Sequence, residues 1–266
     1  TGKTTLLNII SSKESLDDGK VIYPSDLSLG SIAQEFSSTT KLSTLEEAIS
    51  GAKKIRLLKE KLESSLKKLE EDSSEKLIQE YDEIETAYRI AGGYTLKQRS
   101  EAILMGLGFN KEQFHLPCNR LSGGWRMRLE MAKMLLNEPN FIILDEPTNH
   151  LDLPSLIWFE KYMQQFKGTL LFVTHDIELI NRLATTVLHL ENGQFKSYRG
   201  NYINFLKQKE ENLRLEQTTR DNLLNKKEHL EKFITRFRAK SSKAKQAQSK
   251  QKMVDKINEQ IKDLPL

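Results

Sequence analysis

Two unbroken apolar runs stand in the middle of the chain, Phe141–Leu144 and Leu170–Val173, and each is flanked by segments with the spacing of amphipathic helices. Short continuous runs of this kind are typical of parallel strands that are buried on both faces. Near the start, apolar residues between Thr4 and Ile10 predict a helix, and the turn residues Asp17–Lys20 precede a predicted strand at Val21–Tyr23. The pattern predicts an α/β fold with a parallel sheet.

Between residues 45 and 92 the pattern changes to two helical stripes. Apolar side chains recur every three or four residues from Ile55 to Leu69, and again from Leu77 to Tyr88. The polar segment Asp72–Ser74 separates the two stripes. Two helices with narrow apolar faces and a short connection predict an antiparallel helical hairpin inserted into the α/β domain.

The last third of the chain predicts a β-hairpin followed by two long helices. Strand-like segments at Val187–Leu190 and Gln194–Tyr198 flank the turn sequence Glu191-Asn192-Gly193. Residues 202–264 contain no glycine or proline, and their apolar spacing predicts an antiparallel helical pair. The predicted segments are an α/β core over 1–44, a helical arm insert over 45–92, the α/β core again over 93–200, and a basic helical linker over 201–266.

Composition narrows the class of protein. No apolar run approaches the roughly 20 residues of a membrane-spanning helix. The first residues lack the pattern of a signal peptide, and a single cysteine, Cys118, fits a reducing compartment. These features exclude a membrane channel, and we expect a soluble protein of the cytoplasm.

The net charge of +4 is unevenly distributed. Residues 199–266 carry 17 basic and 9 acidic side chains, which leaves residues 1–198 with a net charge of −4. Between Lys232 and Lys256 there are nine basic residues and one acidic residue. Such a cluster binds phosphates by releasing their counterions, so the helical pair predicts a nucleic-acid partner. A solvated helix face is the alternative interpretation.

The chain opens on Thr1-Gly2-Lys3-Thr4-Thr5, which matches the end of the phosphate-binding pattern G-x-x-x-x-G-K-[ST]. In such a loop the glycine lets backbone amides approach the phosphates, Lys3 reaches the β and γ oxygens, and the Thr4 hydroxyl binds Mg²⁺. The following helix directs the positive end of its dipole toward the anion. The segment predicts a nucleotide phosphate site, and an ordinary helix start is the alternative.

A second candidate site lies where the apolar run Phe141–Leu144 ends in two adjacent acids, Asp145 and Glu146. The carboxyl ends of parallel strands form the edge at which α/β sheets bind ligands. Asp145 suits a Mg²⁺ ligand, and Glu146 suits a base or a positioner for an attacking water. A solvated acidic loop after the strand is the alternative.

A third segment, Leu121-Ser122-Gly123-Gly124, precedes a helical stretch and predicts another anion-binding helix start. Together with the phosphate loop before it and the acidic pair after it, this segment resembles the ATPase domain of the ABC superfamily over residues 1–200. That family's fold is a P-loop α/β domain, and the resemblance implies ATP hydrolysis with ATP and Mg²⁺ as cofactors.

The resemblance also assigns roles to particular residues. Gln34 is similar to the Q-loop residue that bridges Mg²⁺ and the attacking water, Asp152 to the D-loop aspartate, and His175 to the switch histidine at the γ-phosphate. The implied catalytic residues are Glu146 and His175. The implied nucleotide-binding residues are Gly2, Lys3, Thr4, Thr5, Gln34, Ser122, Gly123, Gly124 and Asp152, and the implied metal ligands are Thr4, Gln34 and Asp145.

Further segments are similar to the ABC-F branch of that superfamily. They are the sequence Glu146-Pro147-Thr148-Asn149-His150-Leu151-Asp152, the segment Arg199–Tyr202 that opens a charged helix, and the helical insert. The segments Gly123–Arg128 and Arg236–Lys240, taken together, most resemble the YheS-like members, with Trp125 where most ABC domains have glutamine. The resemblance implies that this is the first of two ATPase domains, beginning inside its phosphate loop and ending before the second domain.

ABC-F proteins have no transmembrane subunit and are linked to the ribosome, so the implied partners are a second ABC domain of the same chain, rRNA and tRNA. The implied nucleic-acid contacts are Arg236, Arg238, Lys240, Lys243, Lys245, Lys250 and Lys252. Two alternatives remain, the ATPase subunit of an ABC transporter and an ABC ATPase that binds DNA structures. The transporter alternative does not explain the glycine-free helical tail.

Overall fold

The computed structural model describes residues 2–32, 41–72, 74–191, 193–237 and 244–263. Its contacts divide the chain into two units, Thr1–Leu183 and Ala184–Leu266. Each unit contains its own β-sheet.

A parallel sheet forms the centre of the first unit, with the strand order β1 (Leu29–Ser31), β2 (Phe141–Asp145) and β3 (Thr169–Val173). The middle strand is buried at its three central positions, and β3 is largely half-buried. The register places Asp145, the last residue of β2, opposite Val173, the last residue of β3. The two apolar runs are therefore confirmed as neighbouring parallel strands whose carboxyl ends lie side by side.

The prediction of a strand at Val21–Tyr23 is wrong. No strand of the described residues pairs with this segment, which has no regular secondary structure. The Ile22 side chain is 76% exposed, while the Tyr23 hydroxyl donates a hydrogen bond to the Ile10 carbonyl at 2.8 Å. Apolar residues form a strand only where a partner strand takes up their backbone hydrogen bonds, and this segment has none among the residues described.

The helices of the first unit are α1 (Lys3–Ile10), α2 (Thr44–Ser50), α3 (Lys53–Glu71), α4 (Glu75–Ile90), α5 (Leu96–Gly106), α6 (Gly123–Leu136), α7 (Leu153–Gln164) and α8 (Ile177–Leu183). The helix predicted over residues 4–10 is confirmed by α1. The core lies where α2, α5 and α6 pack together beside the sheet. Leu104, Leu129, Leu135 and Phe159 are fully buried there.

The helical hairpin is formed by α3 and α4, which pack against each other over much of their length. Ile55 and Tyr88 are buried where the hairpin meets the core. The preceding helix, α2, packs on α5 and α6 instead, and begins with a capping box between Ser43 and Glu46. The division of the chain at residues 44, 92 and 200 stays a prediction.

The second unit starts with the antiparallel pair β4 (Thr186–Glu191) and β5 (Gln194–Arg199), which confirms the predicted β-hairpin. Two long helices follow, α9 (Tyr202–Phe237) and α10 (Ala244–Asp263), and they pack against each other. Phe205, at the start of α9, contacts Tyr198 of β5 edge to face, with ring centroids 5.0 Å apart. The helix is thereby anchored to the hairpin from which it emerges.

Among the helices described, none combines the length and apolar character that crossing a membrane requires.

Candidate functional site

The phosphate loop lies at the start of α1. Gly2 adopts a left-handed conformation (φ 79°) directly before Lys3, the first helical residue. Only glycine takes this conformation readily, and the first amides of the helix that follows have no acceptor within that helix. Lys3, Thr4 and Thr5 are exposed, whereas Leu7 is buried and holds the helix in place. The exposed helix start is built to receive an anion.

The acidic pair lies at the carboxyl end of the middle strand. Asp145 ends β2, and Glu146 has the left-handed conformation (φ 48°, ψ 57°), which is rare for a residue with a side chain. The Glu146 amide donates a hydrogen bond to the Val173 carbonyl at 2.8 Å. The following segment, Pro147–His150, is a short 3₁₀ helix. This backbone turn ends the strand at the sheet edge where the two adjacent carboxylates lie.

His175 lies beside Glu146 because the strands that precede them are neighbours. The His175 Nε2 atom is 3.4 Å from Glu146 Oε1, and the His175 backbone amide donates to Glu146 Oε2 at 3.3 Å. The histidine side chain is 86% exposed, while that of Glu146 is 23% exposed. The carboxylate is thus held from one side by the backbone, and the imidazole stays open to a ligand.

A single cavity of about 670 Å³ joins these pieces. The sequence-predicted residues that line it are Gly2, Lys3, Thr4, Thr5, Asp145, Glu146 and His175. The structure therefore brings the start of α1 and the ends of β2 and β3 to one site, although they are far apart in the sequence. Gln34 lies outside the described residues.

The oxygen donors of this cavity fit a Mg²⁺ ion. Magnesium prefers oxygen ligands and is usually held by one or two carboxylates or hydroxyls, with phosphate and water oxygens completing its shell. Thr4 and Asp145 supply one hydroxyl and one carboxylate to the same cavity. No group of three or more histidine, cysteine or acidic side chains forms a denser metal site in the described part of the chain.

The signature-like loop lies away from the cavity. Ser122 precedes the first residue of α6, and none of Ser122, Gly123 and Gly124 lines the cavity. A Cβ atom added to either glycine meets nothing within 4 Å, so both glycines face open space. The structure therefore does not bring this loop to the phosphate loop of the same chain.

Asp152 caps α7. Its Oδ1 atom accepts a hydrogen bond from the Ser155 amide at 3.0 Å, and its Oδ2 atom is 3.3 Å from Arg128 Nη1. The hydrogen bonds from Ser155, together with the nearby Arg128 guanidinium, lower the pKa of Asp152. The aspartate does not line the cavity, but it begins the helix that follows the cavity wall.

Replacing Asp152 with alanine is expected to lower the free energy of unfolding by about 1 kcal/mol at neutral pH, because the cap of α7 is lost. The folded-state pKa is lowered, so this contribution is present above the ordinary aspartate pKa and disappears as pH falls through the folded value. Urea denaturation at pH 7 and near pH 3 measures both effects.

The matched control is Ser74→Ala, because Ser74 precedes α4 without making a side-chain cap hydrogen bond. This variant should unfold at nearly the urea concentration of the unmodified chain. Equal losses in both variants would contradict the capping role of Asp152.

Sequence reasoning missed several residues of the cavity. Asn8, Lys13, Asn149 and His150 also line it, and the Lys13 ammonium donates to the Ile32 carbonyl at 2.9 Å. Asn149 and His150 lie three and four residues after Glu146, so their position was open to inference from the motif. Lys13 carries no such signal, because only the turn after α1 brings it back to the site.

The predicted nucleic-acid contacts are described in part. Arg236 lies in the last turn of α9, and Lys250 and Lys252 lie on α10, half-buried and exposed respectively. Lys245 belongs to α10, but its side chain is outside the described residues. Arg238, Lys240 and Lys243 also lie outside them. The set stays a prediction.

Comparison with known proteins gives two family matches, both described as ABC transporter, over residues 1–149 and 188–265. Probable ATP-binding protein YheS of Escherichia coli (strain K12) is 34% identical over 96% of this chain and 39% of its own length. Putative ATP-binding protein YdiF of Bacillus subtilis is 32% identical over 99% of this chain and 41% of its own. ATP-binding cassette sub-family F member 3 of Homo sapiens is 33% identical over 97% of this chain and 36% of its own.

The chain spans about two fifths of the length of these relatives. The first family match covers more than half of the chain and includes the phosphate loop, the signature-like loop and the acidic pair. The relatives extend the similarity through the helical pair at the end of the chain. This chain therefore belongs to the ABC transporter family, as an ABC-type ATPase domain of the ABC-F branch.

Proposed function

We propose that this chain is the ATP-binding and ATP-hydrolysing first domain of a ribosome-associated translation factor. ATP-driven closure of this domain on a second ABC domain would set the basic helical linker against tRNA and rRNA. The observation that carries the ATPase part is the single cavity in which the phosphate loop, Asp145, Glu146 and His175 meet.

The phosphate loop supplies the binding part of the mechanism. Backbone amides at the start of α1 and the Lys3 ammonium neutralise the β- and γ-phosphates. Thr4 and Asp145, with Gln34 as the third predicted ligand, would hold Mg²⁺. When bound there, Mg²⁺ neutralises charge on the β- and γ-phosphate oxygens.

Glu146 and His175 serve the chemical step. The Glu146 carboxylate orients a water and accepts its proton as the oxygen attacks the γ-phosphorus, and the bond to the β–γ bridging oxygen breaks. His175 is held 3.4 Å from Glu146 Oε1 and has an exposed ring that can donate to the γ-phosphate. The products are ADP and phosphate.

The open position of the signature-like loop supports a two-domain arrangement. Ser122–Gly124 face open space and lie outside the cavity, so in this proposal they serve the nucleotide of the second domain. The relatives are long enough to contain a second domain, because this chain spans only two fifths of them. Two ATP molecules would then lie between the domains and hold them together.

The helical linker supports the nucleic-acid part of the proposal through its charge. The segment from Lys232 to Lys256 contains nine basic residues and only one acidic residue, and this excess of positive charge favours a phosphate-rich partner. We infer that this partner is RNA of the ribosome and its tRNA, that no transmembrane subunit takes part, and that the protein works in the cytoplasm.

The test is sedimentation of the intact protein with ribosomes in ATP and in ADP. Binding is expected in ATP and should weaken in ADP. Replacing Lys250 and Lys252 together with glutamine should weaken binding and lower the slope of log affinity against log salt by about two. The control is the pair Lys161→Gln and Lys167→Gln, which removes two exposed charges elsewhere and should leave binding unchanged.

Two results would favour the alternatives. Sedimentation with membranes in place of ribosomes would support a transporter subunit. Stronger competition by branched DNA than by tRNA, across a salt series, would support a protein that binds DNA structures.

A further inference from the structure

Arg128 lies on α6, seven residues after Leu121, the start of the signature-like loop. Its side chain is only 11% exposed, although arginine is rarely buried without partners. Its Nε atom donates to the His150 carbonyl at 2.8 Å, and its Nη1 atom donates to the Leu107 carbonyl at 3.0 Å. Its guanidinium therefore joins α6 to two other segments of the first unit.

The same guanidinium also reaches the cap of α7. Its Nη1 atom is 3.3 Å from Asp152 Oδ2 and 3.4 Å from Ser155 Oγ. The acceptors lie on the segment that follows Glu146 and on the helix after it. Arg128 thus holds this segment by its backbone at His150 and by its side chain at Asp152.

The surroundings of Arg128 are shaped to receive it. Its guanidinium carbon lies 4.7 Å from the centre of the Trp125 ring, a cation–π contact, and Trp125 packs in turn on the buried Phe109 at 4.7 Å between ring centroids. Gly108 has a left-handed conformation (φ +92°), and a Cβ atom there would lie 2.6 Å from Arg128 Nη1. The absence of a side chain at Gly108 leaves room for the guanidinium, and the ring of Trp125 packs against it.

The segment that Arg128 holds is a wall of the nucleotide cavity. Pro147, Asn149 and His150 line the cavity and follow directly on Glu146. Since Glu146 has a strained backbone conformation, its carboxylate keeps its direction only if the residues after it are fixed. The hydrogen bond from Arg128 to the His150 carbonyl fixes this segment.

We infer that Arg128 is a positioning residue for ATP hydrolysis, which couples the helix of the signature-like loop to the segment behind Glu146. This inference rests on the proposed function. Arginine suits the task because its planar fork donates in several fixed directions, whereas a lysine ammonium is one point charge. Trp125 takes part in this positioning, since its ring packs against the Arg128 guanidinium.

The test compares Arg128→Lys with the unmodified intact protein. We expect kcat for ATP hydrolysis to fall about 10- to 100-fold, because small displacements of a reacting group are costly. The KM for ATP should change less than about 3-fold, because Lys3 and Thr4 are untouched. Trp125→Leu should give a smaller fall in kcat, and Trp125→Phe, which keeps an aromatic face, should restore most of it.

The control is Arg182→Lys. Arg182 also bonds a buried carboxylate, Glu160, at 2.8 Å, but it lies on α8 and does not contact the segment behind Glu146. The kcat of the Arg182→Lys variant should stay close to that of the unmodified protein. Equal falls in kcat for both variants, or a raised KM with unchanged kcat in Arg128→Lys, would overturn the inference.

Hydrogen exchange separates this inference from the proposed function. The Leu151 and Ser155 amides are bonded within the held segment and its cap. In Arg128→Lys they should exchange about 10-fold faster, while the interior amides of α6 keep their rates. Unchanged exchange overturns the inference whether or not ATP is hydrolysed. Absent hydrolysis by the unmodified protein overturns the proposed function instead.

Discussion

Replacing Glu146 with glutamine is expected to lower the rate of ATP hydrolysis by the intact protein by about 100-fold or more. Glutamine keeps the size of the side chain and its hydrogen bond from the His175 amide, but it cannot accept a proton from water. ATP binding should survive, because the phosphate loop at Gly2–Thr5 is unchanged. The variant should therefore accumulate in the ATP-bound state.

Two measurements check this result. Phosphate release under steady-state conditions gives the hydrolysis rate, and binding of a fluorescent ATP analogue gives the affinity. Glu178→Gln is the matched control, because Glu178 lies on α8 with its side chain 78% exposed and does not line the cavity. In the proposed function, the Glu146 variant also stays on ribosomes in ATP. Turnover at the normal rate would show that Glu146 is not the base.

The parts of this site that follow from local sequence were predictable from the residues alone, whereas contacts between residues far apart in the chain were reached only through the family resemblance or were missed. The strands β2 and β3 were predicted because their apolar runs are continuous. Their parallel pairing then places Glu146 beside His175, which lies 29 residues later in the sequence. No local sequence pattern relates two residues that far apart. Val21–Tyr23 has the composition of a strand but lacks a partner among the residues described, which composition alone does not reveal.

Arg128 and Lys13 show the same limit for single side chains. Arg128 lies in a helical stretch rich in basic residues, where a charged side chain is usually solvated. Its burial depends on Gly108 and on the segment after Glu146, which come together only when α5, α6 and α7 pack. Its place in the site was therefore visible only in the folded chain.

The largest expected effect on stability comes from Lys133 on α6. Its ammonium lies 2.6 Å from Glu47 Oε1 of α2 and 3.0 Å from Glu130 Oε1. The Glu47 side chain is only 7% exposed. The end of α2 also lies close to α6, because a Cβ atom on Gly51, which follows α2, would lie 2.4 Å from the Lys133 carbonyl oxygen.

Replacing Lys133 with methionine is expected to lower the free energy of unfolding by about 3 kcal/mol, since it removes the Lys133 ammonium from beside the buried Glu47 carboxylate. Burial acts to lower the pKa of Lys133, but hydrogen bonds to Glu47 and Glu130 outweigh it and raise that pKa. The stabilisation is therefore complete below the ordinary lysine pKa and is lost as pH rises through the folded value. Urea denaturation at pH 7 and above the lysine pKa measures both effects.

A double-mutant cycle separates the ion pair from general packing. Adding Glu47→Gln to Lys133→Met should recover more than half of the lost stability, because glutamine removes the buried charge and keeps hydrogen-bonding groups. The control, Lys59→Met, breaks an exposed pair with Glu63 at 3.8 Å and should cost only about 0.3–0.5 kcal/mol. If Lys133→Met cost no more than this control, the contact between α2 and α6 would depend on apolar packing alone.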